Sequence, residues 1–223
     1  MPIHDWQRVD AGVFHDFHIA WIASLSQALN QGILPADYYA LAEQRRDTVS
    51  AEGPAQPLYG HGLMPGAEND HYAHKQRNIV VRCVRGDRAV AFVEVVSSAD
   101  KSSAALLDLL LERARRALRR GVQFLLIDPY RPTARDPEGV HGALWSSLHH
   151  DNNQLPADKP FTLAAYAVGA ETEAYVEPVA VGDVLPDMPL FLSRDRYVSV
   201  PLEKTYDAAY AGVPKRWRAV LEA

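Results

Sequence analysis

The sequence predicts an α/β protein with a mixed sheet flanked by helices, and three observations carry that prediction. The apolar run Ala89 to Val96, interrupted only by Glu94, leads through Lys101 into a helix-patterned stretch, Ser102 to Arg120. A second apolar run, Val122 to Ile127, follows it. Strand, helix and strand in that order form a right-handed crossover between parallel neighbours. Upstream, Asn78 to Val84 is separated from the Glu94 strand by Gly86-Asp87, which suits a hairpin turn and an antiparallel pair.

The remaining elements follow from periodicity and punctuation. Between Phe14 and Gln31, the residues Phe14, Phe17, Trp21, Leu25 and Leu29 recur at helical spacing, with Ile22 beside them, and Gly32 and Pro35 stop the helix. Tyr38 to Glu43 is short and opens on two tyrosines, so it reads as a strand with Glu43 at its end. From about 45 to 76 periodicity is lost and Gly53, Pro54, Pro57, Gly60, Gly62, Pro65 and Gly66 gather. Loops of this length are uncommon in compact domains and are often functional.

In the central helix Ser102 and Ser103 form the start, and Leu106, Leu107, Leu110, Ala114, Ala117 and Leu118 make the apolar stripe. Arg113, Arg115, Arg116, Arg119 and Arg120 crowd its end, where positive charge suits the dipole, and Gly121 terminates it. Asp136-Pro137-Glu138 supplies a capping acid and a first-turn proline for a helix carrying Trp145 and Leu148. Phe161 to Val168 and Ala174 to Val181 read as strands; Pro201 and Pro214 open two last helices.

Composition bounds the function. The 223 residues suffice for a single domain spanning 1–223. A net charge of -5 provides no basic field, so a nucleic-acid partner would need a local patch or a metal. The one cysteine, Cys83, reads as a small core residue, and a disulfide framework within the chain is impossible. The N-terminal residues carry early acids and no apolar core of a leader, and no stretch of about 18 apolar residues could span a membrane. The expectation is a soluble, cytoplasmic protein, with no indication of its oligomeric state.

Glu94 is the chemically loaded residue of its strand. A lone carboxylate there is costly to bury unless it meets a cation, a metal or hydrogen-bond donors, and Lys101 is the nearest lysine. The order helix, strand, loop, hairpin ending in Glu94, Lys101, helix, strand resembles the core of the restriction-endonuclease-like PD-(D/E)XK superfamily. That resemblance implies a metal-dependent nuclease: acids hold Mg²⁺ or Mn²⁺ and a lysine orients the attacking water for phosphodiester cleavage. On this chain it casts Glu94 as catalytic metal ligand, Asp47 as second metal ligand, Lys101 as water-orienting or charge-stabilising residue, and Glu43 as auxiliary acid. The motif departs at Glu94-Val95-Val96, which lacks the lysine of Glu-x-Lys, so Lys101 would reach in from the following helix start. Neither Asp47 nor Asp70 follows a proline. The alternative is a catalytically inactive binding or assembly module of the same fold, with Glu94 and Lys101 as a structural ion pair.

A second resemblance covers nearly the whole chain. MPIHDWQRVDAGVFHDFHIAWI, LPADYYALAEQ, VEVVSSADKSS, GVQFLLIDPYRPTARDPEGVH, YVEPVAVGDVLPDMPLFL and YVSVPLEKTY are similar to the bacterial domain-of-unknown-function family numbered 4058. Members usually show Val-Ser-Pro before an Asn-Lys turn; here Ser98 stands for the proline and Asp100 precedes Lys101. Their Pro-Asp-Val after the first strand is missing here or reduced to Asp47-Thr48-Val49. The resemblance brings no established activity with it.

Two further groups have simpler readings. His4, Asp5, His15, Asp16 and His18 cluster near the start, and the spacing of His15 and His18 on a helix can serve a metal, although capping and packing explain them more cheaply. The arginines at 113 to 120 could touch phosphates, but a solvated face paired to Glu112 is the simpler account. No G-x-S-x-G, P-loop or G-x-G-x-x-G is present.

Overall fold

The computed structural model describes residues 3–44, 77–149 and 156–223. In chain order these form α1 (Ala11–Ala28), β1 (Tyr38–Gln44), β2 (Arg77–Cys83), β3 (Arg88–Val95), α2 (Ala104–Arg119) and β4 (Gln123–Asp128). There follow α3 (Gly139–His149), β5 (Phe161–Val168), β6 (Thr172–Val179), β7 (Met188–Ser193), β8 (Arg196–Val200), α4 (Leu202–Tyr210) and α5 (Lys215–Leu221). The expected loop of residues 45–76, with Asp47 and Asp70, lies outside the described residues.

Strands β1 to β6 lie side by side in chain order in one mixed sheet. Among the described strands of that sheet only β3 and β4 pair in parallel, and the crossover helix α2 joins them. The other neighbours pair antiparallel. Between β2 and β3 the chain turns through Arg85–Asp87, with Gly86 and Asp87 at positive φ, as the Gly-Asp pair anticipates.

Side-chain alternation divides the central strands β3 and β4 between two cores. Ala91, Val93 and Val95 of β3, with Leu125 and Ile127 of β4, face α1, α4 and the β7–β8 hairpin. Phe92 and Val96, with Phe124 and Leu126, face α2 and α3. Every residue of β4 is buried, as a central strand covered on both faces requires. By this alternation Glu94 and Asp128 belong to the α2/α3 face.

α1 buries Phe14, Phe17, His18, Trp21, Ile22 and Leu25, the face that its periodicity marks. It ends in a wider turn, Leu29–Ile33, where Gly32 takes φ 107°, a conformation that costs a residue with a Cβ. Asn30 then pairs with the outer edge of β1, donating from Nδ2 to the Ala40 carbonyl and accepting from the Ala40 amide through Oδ1, both at 2.8 Å. A side-chain amide thus takes the place of a further strand and blunts that edge.

Several details differ from the expectation. The β7–β8 hairpin has no counterpart in the sequence reading. Leu111 is buried on α2 while Leu106 is only half-buried. Cys83 is half-buried at the end of β2 rather than deep in the core. Among the described residues no helix is long and apolar enough to cross a membrane.

Candidate functional site

The C-terminal ends of the parallel pair β3/β4 open on one rim, the position at which open α/β sheets gather ligands. The chain leaves β3 through a tight turn whose Asp100 Oδ2 accepts from the Ser97 amide at 2.8 Å and the Ser97 hydroxyl at 2.9 Å. Successive short-range bonds, Lys101 N to Ser98 O at 3.2 Å and Ser102 N to Ala99 O at 3.2 Å, coil it toward α2. Ser103 caps that helix, accepting from the Leu106 amide at 3.2 Å. This coil delivers the Lys101 side chain inward.

Lys101 Nζ lies 2.8 Å from Asp128 Oδ2 and 2.9 Å from Asp136 Oδ2, with only 4% of the side chain exposed. It also approaches the carbonyl oxygens of Tyr130 at 3.4 Å and Arg131 at 3.3 Å. An ammonium has three protons, and two carboxylates and a pair of carbonyls account for all of them. The acids are themselves held. Asp128 Oδ1 accepts from the Tyr130 amide at 3.2 Å, and Asp136 Oδ1 accepts from the Thr133 amide at 2.9 Å and from the Thr133 hydroxyl. Arg135 Nη1 closes the assembly by donating to the Lys101 carbonyl at 3.3 Å. The triad fastens the turn after β3 to the segment after β4.

Burial pulls the Lys101 ammonium down, but Asp128 and Asp136 together outweigh it and hold the group above the ordinary lysine value. Burial pushes the Asp128 carboxyl up, against the opposing pull of Lys101. Burial likewise raises the Tyr130 phenol well above its usual value, with Ser98 facing it. The lysine is therefore charged, shielded and fully engaged.

The expected Glu94–Lys101 pair is replaced by Lys101 with Asp128 and Asp136. Glu94 is 2% exposed and sits opposite Leu126 in the β3/β4 register. Since Val95 is level with Ile127, Asp128 lies two residues nearer the rim than Glu94, about 7 Å along the strands. A lysine hanging from the rim meets Asp128 first. Asp136, expected to cap α3, is instead fully buried in the triad, and the helix starts three residues later at Gly139. Glu43 is on β1, two strands and about 10 Å from β3, where Arg82 Nη2 pairs with it at 3.1 Å. Asp47 lies outside the described residues. Among the described residues no group of three or more metal-ligating side chains is placed to hold an ion. The rim acids Asp128 and Asp136, the natural oxygen donors for Mg²⁺ or Mn²⁺, already hold an ammonium, so these residues do not fit the metal that the nuclease resemblance implies.

The N-terminal histidines separate. His18 is fully buried with Nε2 3.1 Å from the Val95 carbonyl, so it packs against the end of β3. His15 and His18 line a small cavity with Ala11, Phe14, Ser97, Ser98 and Ala99. Its volume, about 10 Å³, is that of a single water and too small for a nucleotide. His4 is remote from it, stacked on Tyr210 at 4.1 Å. Asp5 accepts from the Gln7 amide at 3.1 Å, and Asp16 is exposed. On α2, Glu112 meets Arg115 at 3.3 Å, Arg119 at 2.9 Å and Arg116 at 3.8 Å, the pairing expected of a solvated face.

Asp128 and Asp136 are the site residues that sequence reasoning missed. Asp128 had the same signal as Glu94, an acid at the end of an apolar strand in Leu125-Leu126-Ile127-Asp128. No protein-family model, no curated protein and no solved structure matches the chain.

Proposed function

We propose that this chain is a catalytically inactive binding or assembly module on a restriction-endonuclease-like fold, in keeping with its resemblance to family 4058. The fold assignment is supported by the order β1, β2–β3 hairpin, α2, β4, by the single parallel pair, and by Glu94 near the end of β3.

The observation that carries the inactive reading is the state of Lys101. A lysine that orients water must have a proton to offer and must face the substrate, and this one is buried between Asp128 and Asp136. Glu94, at 2% exposure, is equally withdrawn from solvent. The net charge of -5 and the arginines held by Glu112 favour a protein partner over a phosphate backbone.

The test is incubation of the purified protein with single- and double-stranded DNA and RNA in Mg²⁺ or Mn²⁺, beside Glu94→Ala and Lys101→Ala. No cleavage and no mobility shift are expected. Divalent-dependent cleavage by the wild type that is lost in both variants would overturn the proposal. It would restore the metal-dependent nuclease, with Glu94, Lys101 and Glu43 in their expected roles.

A further inference from the structure

One hydroxyl group gathers three polar nitrogens of the segment that precedes α1. The Tyr206 oxygen on α4 lies 3.2 Å from the His4 amide nitrogen, 3.1 Å from Trp6 Nε1 and 2.8 Å from His4 Nδ1. The first two groups can only donate, and a phenol oxygen accepts two hydrogen bonds while giving one. Both acceptor positions are therefore filled, and the Tyr206 proton must go to His4 Nδ1. That requires His4 to be neutral, with its own proton on Nε2.

Protonation reverses the logic. An imidazolium carries a proton on Nδ1 as well, so three donors would meet an oxygen able to serve two, and the Tyr206 proton would lose its acceptor. A buried donor clash of this kind costs far more than the bond it replaces was worth. We propose that residues 3–9 form an acid-released latch, closed by neutral His4 against Tyr206 and opened when His4 is protonated.

The surroundings bear on the direction. The His4 ring is 5% exposed and is stacked on Tyr210 at 4.1 Å and on Tyr206 at 5.9 Å. Burial lowers its proton affinity, while Glu222 beyond α5, with Glu203 and Asp207 of α4, raises it. The balance holds His4 below the ordinary histidine value of 6.5.

Release would uncover a large apolar surface. Ile3 and Trp6 are each 1% exposed, and Trp6 covers Phe17 at 4.2 Å and Phe14 at 5.3 Å between ring centres. Besides the hydroxyl, the segment is tied at its start by Ile3 N to Asp183 O and Gly182 N to Ile3 O, each 2.9 Å. Acidification is thus expected to turn a covered aromatic face into an exposed one without unfolding the sheet.

Amide hydrogen exchange at pH 7 to 4.5, corrected for intrinsic rates, tests the latch. Protection at Ile3, His4 and Arg8 should fall about tenfold per pH unit below about 6.5, until the folded-state value is passed, while β4 amides hold. In His4→Asn the side-chain carbonyl can accept the Tyr206 proton but does not titrate, so protection there should be independent of pH. Nitrogen NMR of the wild-type His4 ring should show Nδ1 bare and Nε2 protonated at pH 7, a readout independent of how well the variant folds. Protection that stays flat to pH 4.5, an equal fall in His4→Asn, or a protonated Nδ1 at pH 7 would each overturn the latch.

Discussion

Replacing Lys101 with methionine keeps the length and apolar stem of the side chain but removes the charge that Asp128 and Asp136 share. Both acids are buried, at 1% and 0% exposure, and neither can turn to solvent. Removing one member of a buried ion pair costs about 3–5 kcal/mol, because an uncompensated charge remains, and here two remain. In a chain of 223 residues 1 kcal/mol moves Tm by about 2–4 °C, so a fall of about 10 °C is expected at pH 7.

The variant should also acquire a distinctive pH dependence. Oδ2 of each acid lies within 2.9 Å of the same nitrogen, so without it the two carboxylates face each other across less than about 6 Å. One of them then takes up a proton in the folded state at a pH where the unfolded chain stays ionised. Its folded pKa is raised, folding binds the extra proton, and the variant's deficit relative to wild type shrinks as the pH falls from 7 to 5. Urea unfolding followed by circular dichroism at both pH values measures this. A loss below about 1 kcal/mol at pH 7, or a deficit that grows toward pH 5, would refute the structural role given to Lys101. Lys101→Met combined with Asp128→Asn and Asp136→Asn should recover part of the loss, since no buried charge is then left alone.

Two other predictions concern single side chains. His141 is fully buried with Nδ1 2.7 Å from the Tyr166 hydroxyl, and burial pushes its imidazole down to about 4. Its folded value lies below the unfolded one, so stability is complete above about 6.5 and declines by up to about 3 kcal/mol as the pH falls toward 4. His141→Asn should lack that component in urea titrations across the same range, and an unchanged slope would contradict it. Ser103→Ala removes the cap of α2 and should cost about 1 kcal/mol, with exchange protection lost first at Leu106; an unaffected Leu106 amide would argue against the cap.

Local pattern carried a large share of the fold. The spacing of Phe14, Phe17, Trp21 and Leu25 marked the buried face of α1, Gly32 its stop, Gly86-Asp87 the hairpin, and Gly121 the end of α2. The β7–β8 hairpin escaped because its Arg194-Asp195 turn lacks the glycine or asparagine that announces tight turns. Pro137 suggested a helix start two residues too early, since Asp136 is engaged by Thr133 and Lys101 and cannot cap.

The candidate site was legible only as a set of residue types. From sequence alone Glu94 and Lys101 were the natural pair, being acid and base at the end of one strand and the turn that follows it. Which carboxylate Lys101 meets depends on the stagger of β3 against β4, which brings Asp128 to the rim and leaves Glu94 a step deeper. It depends equally on the segment after β4 folding back to bury Asp136 against the same nitrogen. Residues 1 to about 20 apart in the chain announce helices, turns and strands through periodicity, because those structures are made of near neighbours. Pairing between residues 27 and 35 positions apart, as for Lys101 with Asp128 and Asp136, leaves no periodic trace, and only strand register and loop path in three dimensions decide it.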